Sequence, residues 1–307
     1  MILSANDVLR MGLQVGNMTP EEQQSKGRNA CVFIFNGVYG SAPETIQKVW
    51  TDLCNTTIVN ARIPDSERSY KGYKMFMIGI YMLVSYPKNS RVIEMHFSPI
   101  AEKDTRGEPL WKWIRRLEAL LPHKIKWLPT LDDPNGAVFI ISVDGTDCKT
   151  WERRNHPTLP YDPATYSQKF KHGGVKYEIG VAVYENQIVW VSDASDAGRN
   201  DITIFREDGL LHRIPQGKMA VGDRGYETSI AAEMDRIAFK RDEDPLELRK
   251  FKARVMCRHE TVNSRIKNFH VASGFFRHGK EKHQSAFKAV CVLVQYQIDN
   301  GAYLFDV

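Results

Sequence analysis

The spacing of hydrophobic positions changes part-way along the chain, and the change predicts two kinds of structure. Ile46, Val49, Trp50 and Leu53 recur at helical steps behind Pro43, which suits the first turn of a helix. Ahead of them, Phe33-Ile34-Phe35-Asn36-Gly37-Val38 reads as an apolar segment ending near a glycine break. Thr19-Pro20-Glu21-Glu22 can start a short helix, and residues 1–30 otherwise carry little pattern. Residues 71–86 are apolar almost all round and stop at Pro87, which predicts a fully buried helix. A short segment over 89–97, a break at Ser98-Pro99 and a helix over about 106–121 follow. In that last helix Leu110, Ile114, Leu117 and Leu121 form the apolar stripe, while Lys112, Arg115 and Arg116 fall away from it. Helix, short helix, turn and basic helix is the order of a helix-turn-helix, with the three cations as candidate DNA contacts. An ordinary solvated charged face is the alternative.

A stretch rich in Pro, Asp and Asn over 122–136 marks a boundary, and strands begin beyond it. Val138-Phe139-Ile140-Ile141-Ser142-Val143 is a nearly unbroken apolar run that ends in Asp144-Gly145, a buried central strand with a carboxylate at its carboxyl edge. After a polar loop over 149–169, Val175, Tyr177, Ile179, Val181 and Val183 alternate with smaller or polar residues. Glu185-Asn186 turns the chain into Ile188-Val189-Trp190-Val191, predicting three strands in an antiparallel meander. A helix should begin at Asp201. Residues 218–221 then form a second short strand that closes on Gly222-Asp223-Arg224-Gly225, and Ile237-Ala238-Phe239 is a fifth. Asp244-Pro245-Leu246-Glu247 opens a long helix whose stripe, Leu248, Phe251, Val255, Val262, Ile266 and Phe269, is continuous. Glu260 lies off that stripe beside Met256, Asn263, Ser264 and Lys267, and a last helix covers 283–298. The expected division is a helical region over 1–135 and an α/β domain over 136–307.

Composition narrows the setting without naming a chemistry. A net charge of +5 and a pI near 8.8 permit an anionic partner without demanding one. Five scattered cysteines with no C-x-x-C pair argue against a disulfide framework or a zinc ribbon, and Cys257, His259 and His270 lack a standard zinc spacing. The N-terminus has no basic segment followed by an apolar core, and the longest apolar stretch is too short for a bilayer, so neither secretion nor membrane insertion is expected.

Three carboxylates then stand out: Asp144 ending the first strand, Asp223 ending the fourth, and Glu260 on the following long helix. Three strands, a helix, a strand and more helices is the order of an RNase H-like domain, in which the first and fourth strands lie side by side. Acids that converge without a basic partner repel, and a hard divalent cation such as Mg²⁺ or Mn²⁺ is the usual remedy. Two such ions can activate a water or a 3′-hydroxyl in phosphodiester displacement.

The residues resemble the DDE superfamily endonuclease domain of PIF/Harbinger-type transposases. The resemblance is carried by Val143-Asp144-Gly145-Thr146-Asp147-Cys148, Tyr166-Ser167-Gln168-Lys169-Phe170, Tyr177-Glu178, Gly198-Arg199-Asn200-Asp201-Ile202-Thr203-Ile204-Phe205, Val221-Gly222-Asp223-Arg224-Gly225-Tyr226 and Arg258-His259-Glu260-Thr261-Val262-Asn263, with 36 residues between Asp223 and Glu260. The chain departs from the family at Trp190-Val191-Ser192-Asp193-Ala194, where a Gly-Pro type turn is usual, and at Asp147, where His is commoner. The resemblance implies an RNase H-like mixed five-stranded sheet preceded by a helical helix-turn-helix-like region. It implies that Asp144, Asp223 and Glu260 hold two Mg²⁺ or Mn²⁺ ions and cleave and join double-stranded DNA, with Asp201 in a supporting place. Arg258 and Lys267, beside Glu260, would suit phosphate contact. It further implies a separate Myb-like DNA-binding partner, self-association and residence in the nucleus. The rival readings are a host-adopted, catalytically silent DNA-binding protein, and a nuclease that only hydrolyses.

Overall fold

The computed structural model describes residues 2–88, 90–97, 107–150 and 163–307. It separates into two compact units: residues 1–124, 267–274 and 281–302 form one, and residues 125–266, 275–280 and 303–307 the other.

The first unit opens with α1 (Ala5–Val15), capped reciprocally by Ser4 and Asp7, each side chain accepting the other's backbone N–H. Thr19 and Glu22 repeat the device at α2 (Pro20–Tyr39), which is broken at Gly27, where φ is +74°. Helices α3 (Pro43–Asn55), α4 (Tyr70–Ser85), α5 (Ser90–His96), α6 (Glu108–Glu118) and α7 (Leu121–Lys124) follow. The expected fully buried helix is α4, around which Trp50 of α3, Tyr73 and Phe76 of α4 and Trp113 of α6 are buried with ring centroids 5.3–6.2 Å apart. Two expectations change here. The N-terminal stretch is ordered, since Val8, Leu9, Leu13 and Val15 bury one face of α1. The apolar segment around Phe33 is the second half of α2, where Cys31, Phe35 and Tyr39 face inward at four-residue steps. The Ser98-Pro99 break of the expected helix-turn-helix lies outside the described residues.

The second unit is built on a mixed sheet. Its strands are β1 (Phe139–Lys149), β2 (Tyr166–Ser167), β3 (His172–Ala182), β4 (Ile188–Val191), β5 (Ser195–Asp196), β6 (Met219–Val221) and β7 (Ile237–Ala238). Strand β3 pairs antiparallel with β1, β2, β4 and β5, whereas β6 runs parallel to β1 and β7 parallel to β6. The meander of β1, β3 and β4 and the neighbouring of β1 and β6 are as expected. Among the described residues seven strands replace the expected five, because the two-residue β2 and β5 pair with the first half of β3. Most of the polar loop expected over 149–169 lies outside the described residues.

Helices α8 (Asp201–Glu207), α9 (Leu210–Arg213), α10 (Ala231–Met234) and α11 (Leu246–Lys267) accompany the sheet. Phe205, Leu210, Leu211 and Ile214 pack with Ile141, Val143 and Ala220, while Val255 of α11 packs with Val183 and Val221, beside Phe139, Phe251 and Met256. Alternation along β1 therefore turns Ile141 and Val143 toward α8 and α9, leaving Ser142 and Asp144 for α11.

Helices α12 (His270–Ser273) and α13 (Lys280–Asp299) belong almost wholly to the first unit. This departs from the expected division at 135/136, which assigns them to the α/β domain. The physical reason lies in their contacts: the Tyr296 hydroxyl donates to Asp52 at 2.5 Å, Gln297 to the Gly40 carbonyl at 2.7 Å, and Lys124 to Asp299 at 3.2 Å. Among the described residues no helix is long and apolar enough to cross a membrane.

Candidate active site

Asp144 emerges, half-buried, where β1 passes the end of β6, and Asp223 follows β6 after one glycine. Asp223 is exposed and oriented by its own turn: its Oδ1 accepts the Gly225 N–H at 2.7 Å and caps the one-turn helix Arg224–Tyr226. Glu260 is exposed on α11. Two hydrogen bonds fix that helix against β1. The buried His259 ring meets the Ser142 hydroxyl at 2.8 Å, and one helical turn later Asn263 Nδ2 donates to Asp144 Oδ2 at 2.9 Å. Ser142 and Asp144 are two apart on a strand and His259 and Asn263 four apart on a helix, so both pairs join one face to one face.

Acids distant in the chain act on one another by charge. The Asp144 carboxyl is pushed up to about 7, chiefly by burial, then by the negative charges of Asp223, Glu260 and Asp201, with Lys169 opposing. Glu178, across the β1–β3 ladder from Gly145, is fully buried and its carboxyl is held well above the usual range, first by burial and then by Asp208 and Asp201. Asp201, at the start of α8, is neutralised locally: Lys176 Nζ donates to its Oδ1 at 2.8 Å and lies 3.7 Å from Asp147. Ser167 of β2 donates to the other oxygen of Asp147 at 2.5 Å, so that buried acid is occupied by partners of its own.

Carboxylate oxygens and a side-chain amide suit a hard divalent cation and no softer metal. Among the described residues no group of three or more His, Cys, Asp or Glu side chains is gathered closely enough to hold an ion as it stands. The chemistry of the donor set fits such an ion; Asp223 and Glu260, being exposed, are the side chains left to close on it.

Residues 143–295 match the DDE superfamily endonuclease family. That span, about half of the chain, begins one residue before Asp144 and takes in Asp223 and Glu260. No curated protein and no solved structure matches the chain.

The basic residues singled out in the sequence are not gathered at these acids. Arg258 is buried and spends its guanidinium on the backbone carbonyls of Ala182, Glu185 and Phe305, so it does not face solvent and is not placed for phosphate. Glu260, two residues on, points out because two helical steps of about 100° each carry it to the opposite side of α11. Lys267 donates to the Ala272 carbonyl at 3.0 Å. In the first unit, Arg116 is buried, lies over the Trp113 ring at 4.6 Å and forms a two-pronged pair with Glu67 at 2.8 and 3.1 Å. Lys112 also pairs with Glu67, and Arg115 pairs with Glu108, both at 2.8 Å. The apolar stripe that exposes Lys112 and Arg115 leaves Arg116 inside, against the aromatic cluster. Asn263 was legible as a polar neighbour of Glu260; the anchoring roles of Ser142, His259 and Lys176 carry no signal in a single sequence.

Proposed function

We propose that this chain is a transposase-type DNA endonuclease of the PIF/Harbinger kind, with Asp144, Asp223 and Glu260 as the ligands of Mg²⁺ or Mn²⁺ in an RNase H-like domain. The observation that carries the reading is the convergence on Asp144: residues 79 and 116 positions away, Asp223 and Glu260, raise its carboxyl by their charge. Such repulsion is the condition a shared divalent cation relieves. Adjacent parallel strands supply the first two acids, and α11, pinned by His259 and Asn263, supplies the third.

In this reading Asp144 is the ligand oriented by Asn263, Asp223 the one oriented by its own turn, and Glu260 the exposed one on α11. When bound, the metal ions supply Lewis-acid activation of a water or a 3′-hydroxyl and stabilise the leaving oxygen of the scissile phosphodiester. The protein holds the acids: Asn263 orients Asp144, and Asp223 and Glu260 remain exposed. Strand cleavage followed by attack of the freed 3′-hydroxyl on a second duplex is the expected reaction. A Myb-like DNA-binding partner, self-association and action in the nucleus belong to the same proposal.

The test is nicking of supercoiled plasmid with Mg²⁺ or Mn²⁺ by the wild type and by Asp144→Asn. Loss of metal-dependent nicking in the variant supports catalysis by these acids. Equal activity removes these acids from catalysis, and no activity in either protein supports the rival reading of a catalytically silent DNA-binding protein. Joining of labelled 3′ ends into plasmid separates strand transfer from simple hydrolysis.

A further inference from the structure

A glycine follows each of two proposed ligands, Gly145 directly after Asp144 inside β1 and Gly225 two residues after Asp223 in the turn beyond β6. Neither has room for a side chain, and Asp201 is against both. A Cβ on Gly145 would lie 2.5 Å from Asp201 Oδ1, and one on Gly225 would lie 2.6 Å from Asp201 Oδ2 and 2.9 Å from Asp223 Oδ1. One oxygen of Asp201 thus packs on the strand and the other on the turn. Asp201 is itself clamped: Lys176 Nζ donates to its Oδ1 at 2.8 Å and to the Arg199 carbonyl at 3.0 Å, with Asp147 at 3.7 Å on the same ammonium. Lys176 comes from β3, in register with Asp147 on β1, and its side chain is 12% exposed, so the clamp is held by the sheet and not by solvent-side loops.

We propose that Asp201, anchored by Lys176, is a positioning residue that spaces the β1 strand bearing Asp144 from the turn bearing Asp223 and so sets the separation at which those carboxylates share a divalent cation. This rests on the reading of Asp144 and Asp223 as ligands and assigns the neighbouring acid a different task. A carboxylate whose oxygens are wedged between two backbones and tied to an ammonium is poorly placed to turn toward a metal ion. What it controls is distance. With Asp201 in place, Gly145 and Gly225 cannot approach one another, and without the Lys176 anchor the wedge loses its fixed depth. Outer-shell partners of metal ligands act in this manner, through the orientation of groups they do not replace.

The two roles open to Asp201 predict opposite signs for one substitution. Were Asp201 a ligand, Lys176 would be its competitor, and Lys176→Met would tighten metal binding. As a positioning pair, Asp201→Asn and Lys176→Met both weaken it. The experiment is calorimetric titration of the full chain with Mn²⁺, alongside plasmid nicking, for the wild type, Asp201→Asn, Lys176→Met, Gly145→Ala and Asp144→Asn, each checked for cooperative melting. The expected result is an apparent Mn²⁺ affinity lower by about 10- to 100-fold in Asp201→Asn and Lys176→Met. In both, kcat falls at saturating Mn²⁺ while KM for DNA is unchanged. Gly145→Ala, whose methyl meets Asp201 and no ligand side chain while both charges are kept, shows the same loss and keeps the inference testable if one charge variant fails to fold. Tighter Mn²⁺ binding by Lys176→Met overturns the inference. So does wild-type Mn²⁺ binding by Asp201→Asn when Asp144→Asn abolishes it, and that outcome leaves the proposed function standing. Wild-type binding by all the variants, Asp144→Asn included, removes the proposed function and this inference together.

Discussion

Arg258 and Arg116 are both buried cations, and their partners decide what a mutation at each would report. Arg258 satisfies backbone carbonyls only, whereas Arg116 shares the Glu67 carboxylate with Lys112 and pulls that carboxyl down to about 2, chiefly through its own hydrogen bonds. Removing one member of such a pair strands the other, at a cost of about 3 kcal/mol. Arg116→Glu is therefore expected to unfold the first unit at lower denaturant rather than to report on DNA. A denaturant midpoint equal to the wild type would contradict this. Lys112→Glu and Arg115→Glu, at exposed positions, are the substitutions that test DNA contact by salt-dependent affinity. Asp144 gives the opposite sign. Its folded carboxyl titrates near 7 against an ordinary 3.8, so the metal-free fold holds a proton there that the unfolded chain releases. Stability from this group is present below about pH 4 and is lost as pH rises toward 7. Asp144→Asn, which removes the charge and keeps an oxygen for Asn263, should then melt a few degrees above the wild type at pH 8 in chelator. A lower melting temperature would show that the site is not strained by its own charge.

At the scale of elements, legibility followed the kind of signal. The strand carrying Asp144, its antiparallel partners and the long helix bearing Glu260 were readable because an uninterrupted apolar run, a two-residue alternation and a continuous helical stripe each have one physical reading. The end of that strand was not: β1 runs on from Asp144 to Lys149, because Gly145 to Lys149 keep their ladder with β3. The β2 and β5 strands were not, because two residues are too few to carry a period. The α1 helix was passed over although Ser4 and Asp7 spell a capping box, since its apolar stripe is short and lies in polar text. What joins α11 to β1 is two side-chain hydrogen bonds between residues more than 100 positions apart, and no local pattern announces them. Their worth can be measured. Ser142→Ala leaves the buried His259 ring, whose titration burial already lowers to about 4, without this partner. The expected loss is about 1–3 kcal/mol in denaturant unfolding. No loss would mean that apolar packing alone seats the helix.

The division of the whole molecule was the least legible feature. A stripe such as Phe287, Val290 and Val294 shows that a helix is buried and says nothing of what buries it, and α13 packs with the N-terminal helices through Tyr296, Gln297 and Asp299. That unit also carries groups that set its acid limit. His283 is buried on α13 with its titration lowered to about 3, chiefly by burial, and Glu67 titrates near 2. Both contribute stability that is intact above their ordinary values of 6.5 and 4.5, so acid should weaken the first unit in two stages, from below pH 6.5 for His283 and below 4.5 for Glu67. His283→Gln should flatten the upper stage of a melting-temperature profile, and an unchanged profile would remove His283 from the account.

The central claim concerns the second unit: acids from β1, the end of β6 and α11 share one divalent cation. Calorimetric titration of Mn²⁺ into the wild type and into Asp144→Asn, Asp223→Asn and Glu260→Gln tests it without requiring turnover or a known DNA sequence. Saturable binding by the wild type, lost or strongly weakened in each of the three variants, is the predicted result. Wild-type affinity in any one of them would contradict it.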